Sequence, residues 1–150
     1  MTDAPVRILV LCTGNSCRSI LAEALFREIG GDRVAVESAG SRPQGTVNPR
    51  TIRVLDEAGI GHDWARSKSM TEFLDQEFDH VLTVCDDARL VCPVFPGADQ
   101  SLHGGYAEPA SVSGDDAARL DAFERVFTSL AERIGQFVVV TSRRAVPIGG

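Results

Sequence analysis

An α/β architecture is expected for this chain: three layers, with a four-stranded, mostly parallel sheet flanked by helices on both faces. Three observations predict it. Short runs at residues 6–11 and 81–84 are apolar almost without interruption, as strands buried on both faces should be. Between and after them, apolar residues recur every three or four positions, the period of a helix that buries one face. Glycine and proline gather at the junctions. Strands alternating with helices pair in parallel through right-handed crossovers, and ligands then bind beyond the carboxyl ends of the strands.

The first strand, residues 6–11, leads directly into Cys12-Thr13-Gly14-Asn15-Ser16-Cys17-Arg18-Ser19. After that loop, Ile20, Leu21, Ala24, Leu25, Phe26 and Ile29 mark the inner face of a first helix, with Glu23 and Glu28 expected on its wetter side. Gly30-Gly31 should end it, because glycine takes the left-handed conformation beyond a last turn without steric cost. Val34-Ala35-Val36 reads as a second strand, stopped by Ser38-Ala39-Gly40, and residues 41–47 have loop composition. Asn48-Pro49 is a helix start, a capping side chain followed by proline at the first helical position. That helix should turn Ile52, Val54 and Leu55 inward and close at Gly59.

Ser69-Met70-Thr71-Glu72 has the form of a capping box before a short helix carrying Phe73 and Leu74. Residues 81–84 make the third strand. The stretch 85–108 holds Pro93, Pro96, Gly97, Gly104 and Gly105 and is expected to be mostly irregular, with a short edge strand at 101–103. Ser113-Gly114-Asp115-Asp116 caps a last helix in which Leu120, Phe123, Phe127, Leu130 and Ile134 form one stripe. Residues 141–150 are expected to be a tail. The 150 residues are read as a single domain, its core spanning residues 6–135.

Composition narrows the function classes. A net charge of −6 argues against nucleic acid, which needs a basic face, so any anion site must be local. No apolar run is long enough to span a bilayer, and Met1-Thr2-Asp3 opens without a basic segment, so a cytoplasmic enzyme away from membranes is expected. The cysteines stand at 12, 17, 85 and 92, without the close pairs of a zinc site, and His62, His80 and His103 do not complete one. No metal is expected. In a reducing compartment these thiols point to chemistry rather than staples.

The loop at 12–19 is the strongest chemical signal. A thiol, five intervening residues and an arginine between a strand and a helix form a pocket for a tetrahedral oxyanion with a nucleophile at its floor. The backbone of Thr13, Gly14, Asn15, Ser16, Cys17, Arg18 and Ser19 supplies the cradle, and the Arg18 fork holds two oxygens at once. The same field favours the thiolate of Cys12. Asn15 suits an unusual backbone angle. Ser19 either donates its hydroxyl to the Cys12 thiolate or serves as a plain helix cap. Cys17 either pairs with Cys12 in an oxidised resting state or lends the pocket its backbone amide, the reading favoured here.

Cys85 falls just past the end of the third strand, at the same sheet edge as Cys12. Cys92 follows seven positions later across a polar stretch. The two read as a redox pair that a mobile segment brings within disulfide distance. Glu108, before Pro109, is placed to protonate a leaving oxygen as general acid.

On these residues the chain resembles the arsenate reductases of the low-molecular-weight tyrosine phosphatase superfamily, and most closely their thioredoxin-coupled branch. The likeness covers roughly residues 6–135. It rests on Cys-Thr-Gly-Asn-Ser-Cys-Arg-Ser, on Ser38-Ala39-Gly40, and on Thr83-Val84-Cys85 with Cys92-Pro93. The loop alone would fit a phosphatase equally well; the Cys85/Cys92 pair selects the reductase. The resemblance implies that Cys12 attacks arsenate, that Cys85 and then Cys92 carry the resulting disulfide away, and that thioredoxin regenerates the enzyme with no bound cofactor. Phosphate or sulfate should occupy the loop as mimics.

Three departures stand out. The family's usual aspartate before proline is Glu108, and Ala110-Ser111 replace the aromatic residues that follow it in tyrosine phosphatases. Some thioredoxin-coupled members bind potassium through side chains that Asn15, Glu23 and Ser38 partly match. The remaining aspartate is replaced near Ser69, so the ion is not predicted. Two other readings stay open: a small phosphatase using Cys12, Arg18 and Glu108 with water as final nucleophile, and a non-catalytic oxyanion or thiol-redox sensor.

Overall fold

A computed structural model describes residues 4–84, Pro109 and residues 112–145, with side chains through Val138. Its centre is β1 (Val6–Cys12), in which Ile8, Leu9, Val10 and Leu11 are buried on both faces, as the unbroken apolar run requires. On one side β1 pairs in parallel with β2 (Val34–Gly40), from Val6 opposite Val34 to Cys12 opposite Gly40. On the other it pairs in parallel with β3 (His80–Thr83), from Ile8 opposite His80 to Leu11 opposite Thr83. The order among the described residues is therefore β2-β1-β3. The expected edge strand at 101–103 lies outside them.

Helices α1 (Arg18–Gly30), α2 (Pro49–Glu57) and α3 (Asp116–Ala145) cover the face of the sheet carrying Ile8, Val10 and Val36. Leu21, Phe26, Leu55, Phe123, Leu130 and Ile134 fill the space between. The opposite face, carrying Leu9, Leu11 and Val81, is closed by Phe73 from the 3-10 turn Met70–Phe73 and by Phe78, whose rings meet edge to face at 6.1 Å.

The helix ends follow local chemistry. Asn48 accepts a hydrogen bond from the Arg50 backbone N–H, and Pro49 is the first residue of α2. Asp115 caps α3 by accepting from the Ala118 N–H, and Gly31, at φ 54°, ends α1. Ser69 accepts from the Thr71 N–H and caps the expected short helix, which is a single 3-10 turn, Met70–Phe73.

Four expectations need correction. The strand β2 does not stop at Ser38-Ala39-Gly40 but runs through it, because Gly40 pairs with Cys12 on one side and bridges to Ser69 on the other. In α2 the inward positions are Thr51, Val54 and Leu55, with Ile52 only half-buried, because Thr51 donates to the loop carbonyl of Ser16. Residues 141–145 belong to α3 rather than to a tail. Glu23 is buried, 1% exposed, because α1 lies between the sheet and the other helices and every residue from Arg18 to Phe26 is buried.

Candidate active site

The loop between β1 and α1 sits at the carboxyl edge of the sheet, where parallel sheets bind ligands. Its carbonyls are turned outward onto the following segment. Cys12 C=O accepts from Ser41 N–H at 3.1 Å, Thr13 from Arg42 at 2.9 Å, and Gly14 from Gln44 at 3.0 Å. The Ser16 carbonyl accepts from Asn48 N–H at 3.2 Å and from the Thr51 hydroxyl at 2.9 Å. No peptide in the described chain is cis. A trans peptide points its C=O and the next N–H in opposite directions. The amides of Thr13, Gly14, Asn15 and Cys17 therefore face the concave side, which is the arrangement of an anion nest.

Asn15 makes the turn possible. Its φ of 47° is the left-handed conformation that asparagine tolerates best among residues with a side chain. Its side chain is spent entirely on the scaffold. Asn15 Oδ1 accepts from the Lys68 backbone N–H at 2.8 Å, while Nδ2 donates to Ser19 Oγ at 2.8 Å and Ser38 Oγ at 3.0 Å. Ser19 is not the helix cap, since Cys17 holds that position. Its hydroxyl accepts from Asn15, which leaves its own proton to donate elsewhere. Gly40 must be glycine, because a Cβ there would stand 2.5 Å from the Thr13 carbonyl oxygen. The Ser67 hydroxyl donates to Gly14 C=O at 3.0 Å and tightens the rim.

Cys12 and Cys17 are both buried, and Arg18, the first residue of α1, is 8% exposed. The Cys17 carbonyl accepts from Leu21 N–H at 2.9 Å, anchoring the helix start to the loop. The structure thus brings Cys12, the cradle residues 13–17, Arg18 and Ser19 together. Cys85, Cys92 and Glu108 lie outside the described residues. The last described residue before Cys85 is Val84, whose N–H donates to the Leu11 carbonyl at 3.1 Å, one residue before Cys12.

Beneath the loop lies a buried polar cluster whose extent the sequence did not reveal. Ser38 Oγ donates to Glu23 Oε1 at 2.6 Å, and Arg27 donates to Glu23 Oε2 through Nη2 at 2.7 Å and Nε at 3.0 Å. The Arg27 guanidinium also stacks over the Trp64 ring at 4.6 Å. Lys68 Nζ stands 3.7 Å from Glu23 Oε1, with its side chain 3% exposed. Burial pushes the Glu23 carboxyl up from its ordinary value, opposed chiefly by the Lys68 charge. Burial likewise pushes the Lys68 ammonium down, opposed by Glu23 and Glu37. Lys68 was missed because one lysine between two serines carries no sequence signal of burial.

Residues 7–145 match the low molecular weight phosphotyrosine protein phosphatase family. The chain belongs to that family. An arsenate reductase from Halalkalibacterium halodurans is 38% identical over 130 residues, 87% of this chain and 93% of the relative. A thioredoxin-dependent arsenate reductase from Corynebacterium glutamicum superposes with a TM-score of 0.65 at 28% identity, covering 93% of this chain and 65% of that one. An arginine phosphatase, solved as a Cys→Ser mutant with a phosphorylated active-site serine, superposes with a TM-score of 0.72 at 27% identity, covering 94% and 100%. The family fold expected from the loop and the alternating elements is the one observed, and the relatives favour the reductase branch over the phosphatase.

Proposed function

We propose that the protein reduces arsenate to arsenite through a thiol–disulfide relay of Cys12, Cys85 and Cys92. The observation that carries this reading is the adjacency of two strand ends. The strand finishing at Cys12 and the strand leading to Cys85 lie side by side, joined by the Val84–Leu11 hydrogen bond at 3.1 Å. The arsenate reductases among the relatives supply the substrate.

Arsenate enters the loop as an oxyanion, its charge met by the inward amides and by Arg18. The Cys12 thiolate attacks arsenic, forming a sulfur–arsenic bond, and one oxygen takes a proton from Glu108 and departs as water. Cys85 thiolate then attacks Cys12 Sγ. The sulfur–arsenic bond breaks and its electron pair stays on arsenic, so As(V) becomes As(III) while the two thiols become a Cys12–Cys85 disulfide. Cys92 attacks Cys85, moves the disulfide to Cys85–Cys92 and returns Cys12 as thiolate.

The dithiol of thioredoxin reduces that last disulfide, so the cycle needs no bound cofactor. Phosphate and sulfate, of similar shape and charge, occupy the loop as mimics. The cytoplasm, where thiols are kept reduced, is the compartment this chemistry requires.

The test is arsenate-dependent NADPH oxidation in the presence of thioredoxin and thioredoxin reductase. Wild type should turn over repeatedly and Cys12→Ser not at all. Cys92→Ser should stop after one turnover with a Cys12–Cys85 disulfide visible by mass spectrometry. If Cys85→Ser and Cys92→Ser instead matched wild type and all three proteins hydrolysed an aryl phosphate efficiently, the protein would be a phosphatase, the reading its family alone would suggest.

A further inference from the structure

Asn15, Glu23 and Ser38 raise the question of a bound monovalent cation, because three buried oxygen-bearing side chains are linked in series by hydrogen bonds through Ser38 beneath the loop. The structure answers it with a different cation. Lys68 Nζ stands 3.7 Å from Glu23 Oε1, and both side chains are almost wholly shielded from water. Asn15 Oδ1 is already engaged by the Lys68 backbone N–H at 2.8 Å, which leaves it one lone pair. Ser38 gives its hydroxyl proton to Glu23 at 2.6 Å while accepting from Asn15 Nδ2 at 3.0 Å. The residues present do not fit potassium; they fit an ammonium already tethered to the chain.

We propose that Lys68 is a built-in cation that neutralises Glu23 and thereby positions the oxyanion loop through Ser38 and Asn15. Lys68 is joined to that loop at several points. Its N–H bonds the Asn15 side chain, its carbonyl accepts from Gly40 N–H at 2.9 Å, and the neighbouring Ser67 hydroxyl bonds the Gly14 carbonyl at 3.0 Å. Arg27, whose side chain is 39% exposed, pairs with Glu23 Oε2 at 2.7 Å, so Lys68 is the buried cation on the Oε1 side that faces Ser38. A carboxylate left uncompensated on that side acts in two ways. It repels an anion bound above it, and it competes for the Ser38 and Asn15 donors that hold the turn. An intramolecular ammonium removes both effects without requiring an ion from solution. Lys68 is thus a positioning residue: it acts on the bound oxyanion through Glu23, Ser38 and Asn15.

The inference rests on the loop being an oxyanion site, so the test measures sulfate binding by calorimetry, independently of turnover. Four proteins are compared in potassium chloride and in choline chloride at equal ionic strength: wild type, Lys68→Met, Glu23→Gln and the double variant. Wild type should bind sulfate equally in both salts. Lys68→Met should bind about tenfold more weakly or worse in choline, the scale of a lost charge-assisted interaction, and recover in part when potassium can enter the vacated space. The double variant, with both charges gone, should regain most of the affinity and show no response to potassium.

A merely structural lysine would give the same loss in Lys68→Met and in the double variant. That result, or wild-type affinity in Lys68→Met, or a potassium response in wild type, would overturn the inference. If Lys68→Met does not fold, the double variant decides alone: near-wild-type sulfate affinity supports the inference and a tenfold loss overturns it. Wild type that binds no sulfate at all would instead refute the reading of the loop, and the inference with it.

Discussion

Ile8 and Val10 of β1 pack against Leu21, Phe26, Phe123 and Leu130 in a cluster almost without polar atoms. Beyond the carboxyl end of the same strand, Asn15, Ser19, Glu23, Ser38 and Lys68 are hidden from solvent to nearly the same degree, between 0% and 4% exposed. The first cluster is held by non-directional burial, which stabilises by roughly 1.5–3 kcal/mol per large side chain and tolerates rearrangement. The second must satisfy each donor and charge with a specific partner, because an unpaired polar group in such a place is costly. Equal burial therefore serves different ends. The apolar cluster supplies stability, while the polar one specifies the shape of a loop.

Substitutions can separate the two roles. Phe26→Ala removes a fully buried ring that also meets Phe137 edge to face at 5.8 Å. It should lower unfolding free energy in urea by about 3–5 kcal/mol and leave oxyanion affinity of the folded protein within about twofold of wild type, a change well under 1 kcal/mol. A large affinity loss in Phe26→Ala would break the comparison. Gly40→Ala is the converse. Its new methyl group would meet the Thr13 carbonyl oxygen at 2.5 Å, so the loop must move. We expect a destabilisation of about 1–3 kcal/mol with at least a tenfold fall in sulfate affinity by calorimetry.

Ser38→Ala leaves Asn15 Nδ2 and Glu23 Oε1 without the hydroxyl they share. It should cost about 1–2 kcal/mol in urea unfolding, with the larger proportional effect again on anion binding. Equal affinity in wild type and Ser38→Ala would show that the polar cluster does not shape the loop.

The smallest expected effect lies outside both clusters. Exposed Asp116, at the start of α3, accepts from Arg50 at 2.7 Å, and this hydrogen bond, followed by the Arg50 charge, holds its carboxyl below the ordinary 3.8. A carboxyl with a depressed folded-state value contributes stability above pH 3.8 and loses it as pH falls through the lower folded value. Asp116→Asn should therefore slightly flatten the acid limb of thermal stability against pH, and added salt should erase the difference. A salt-independent loss would mean that the pair is more shielded than its exposure indicates.

Much of the frame was legible because its causes are local. The unbroken run at 6–11 announced a strand buried on both faces; Asn48-Pro49 announced a helix start; Gly31 and Gly59 took the positive φ values their positions suggested. The turn between β1 and α1 was equally plain, since asparagine between an apolar strand and a helical pattern suits the positive φ that Asn15 adopts. Periodicity failed at Glu23, where a polar residue on the expected wet side of α1 is covered by Ser38 and Lys68 arriving from elsewhere in the chain. It failed at Thr51 for the same reason, the partner being a loop carbonyl 35 residues away.

The sequence by itself determined the order of the described elements and the Asn48-Pro49 start of α2, because each depends on residues within one or two turns of chain. Only the tertiary structure decided which charged groups are hidden and what neutralises them. Residues 15, 19, 23, 38 and 68 come together through the parallel pairing of β1 with β2 and the bridge from Gly40 to Ser69. The energy of a buried charge depends on partners that only the completed fold brings near.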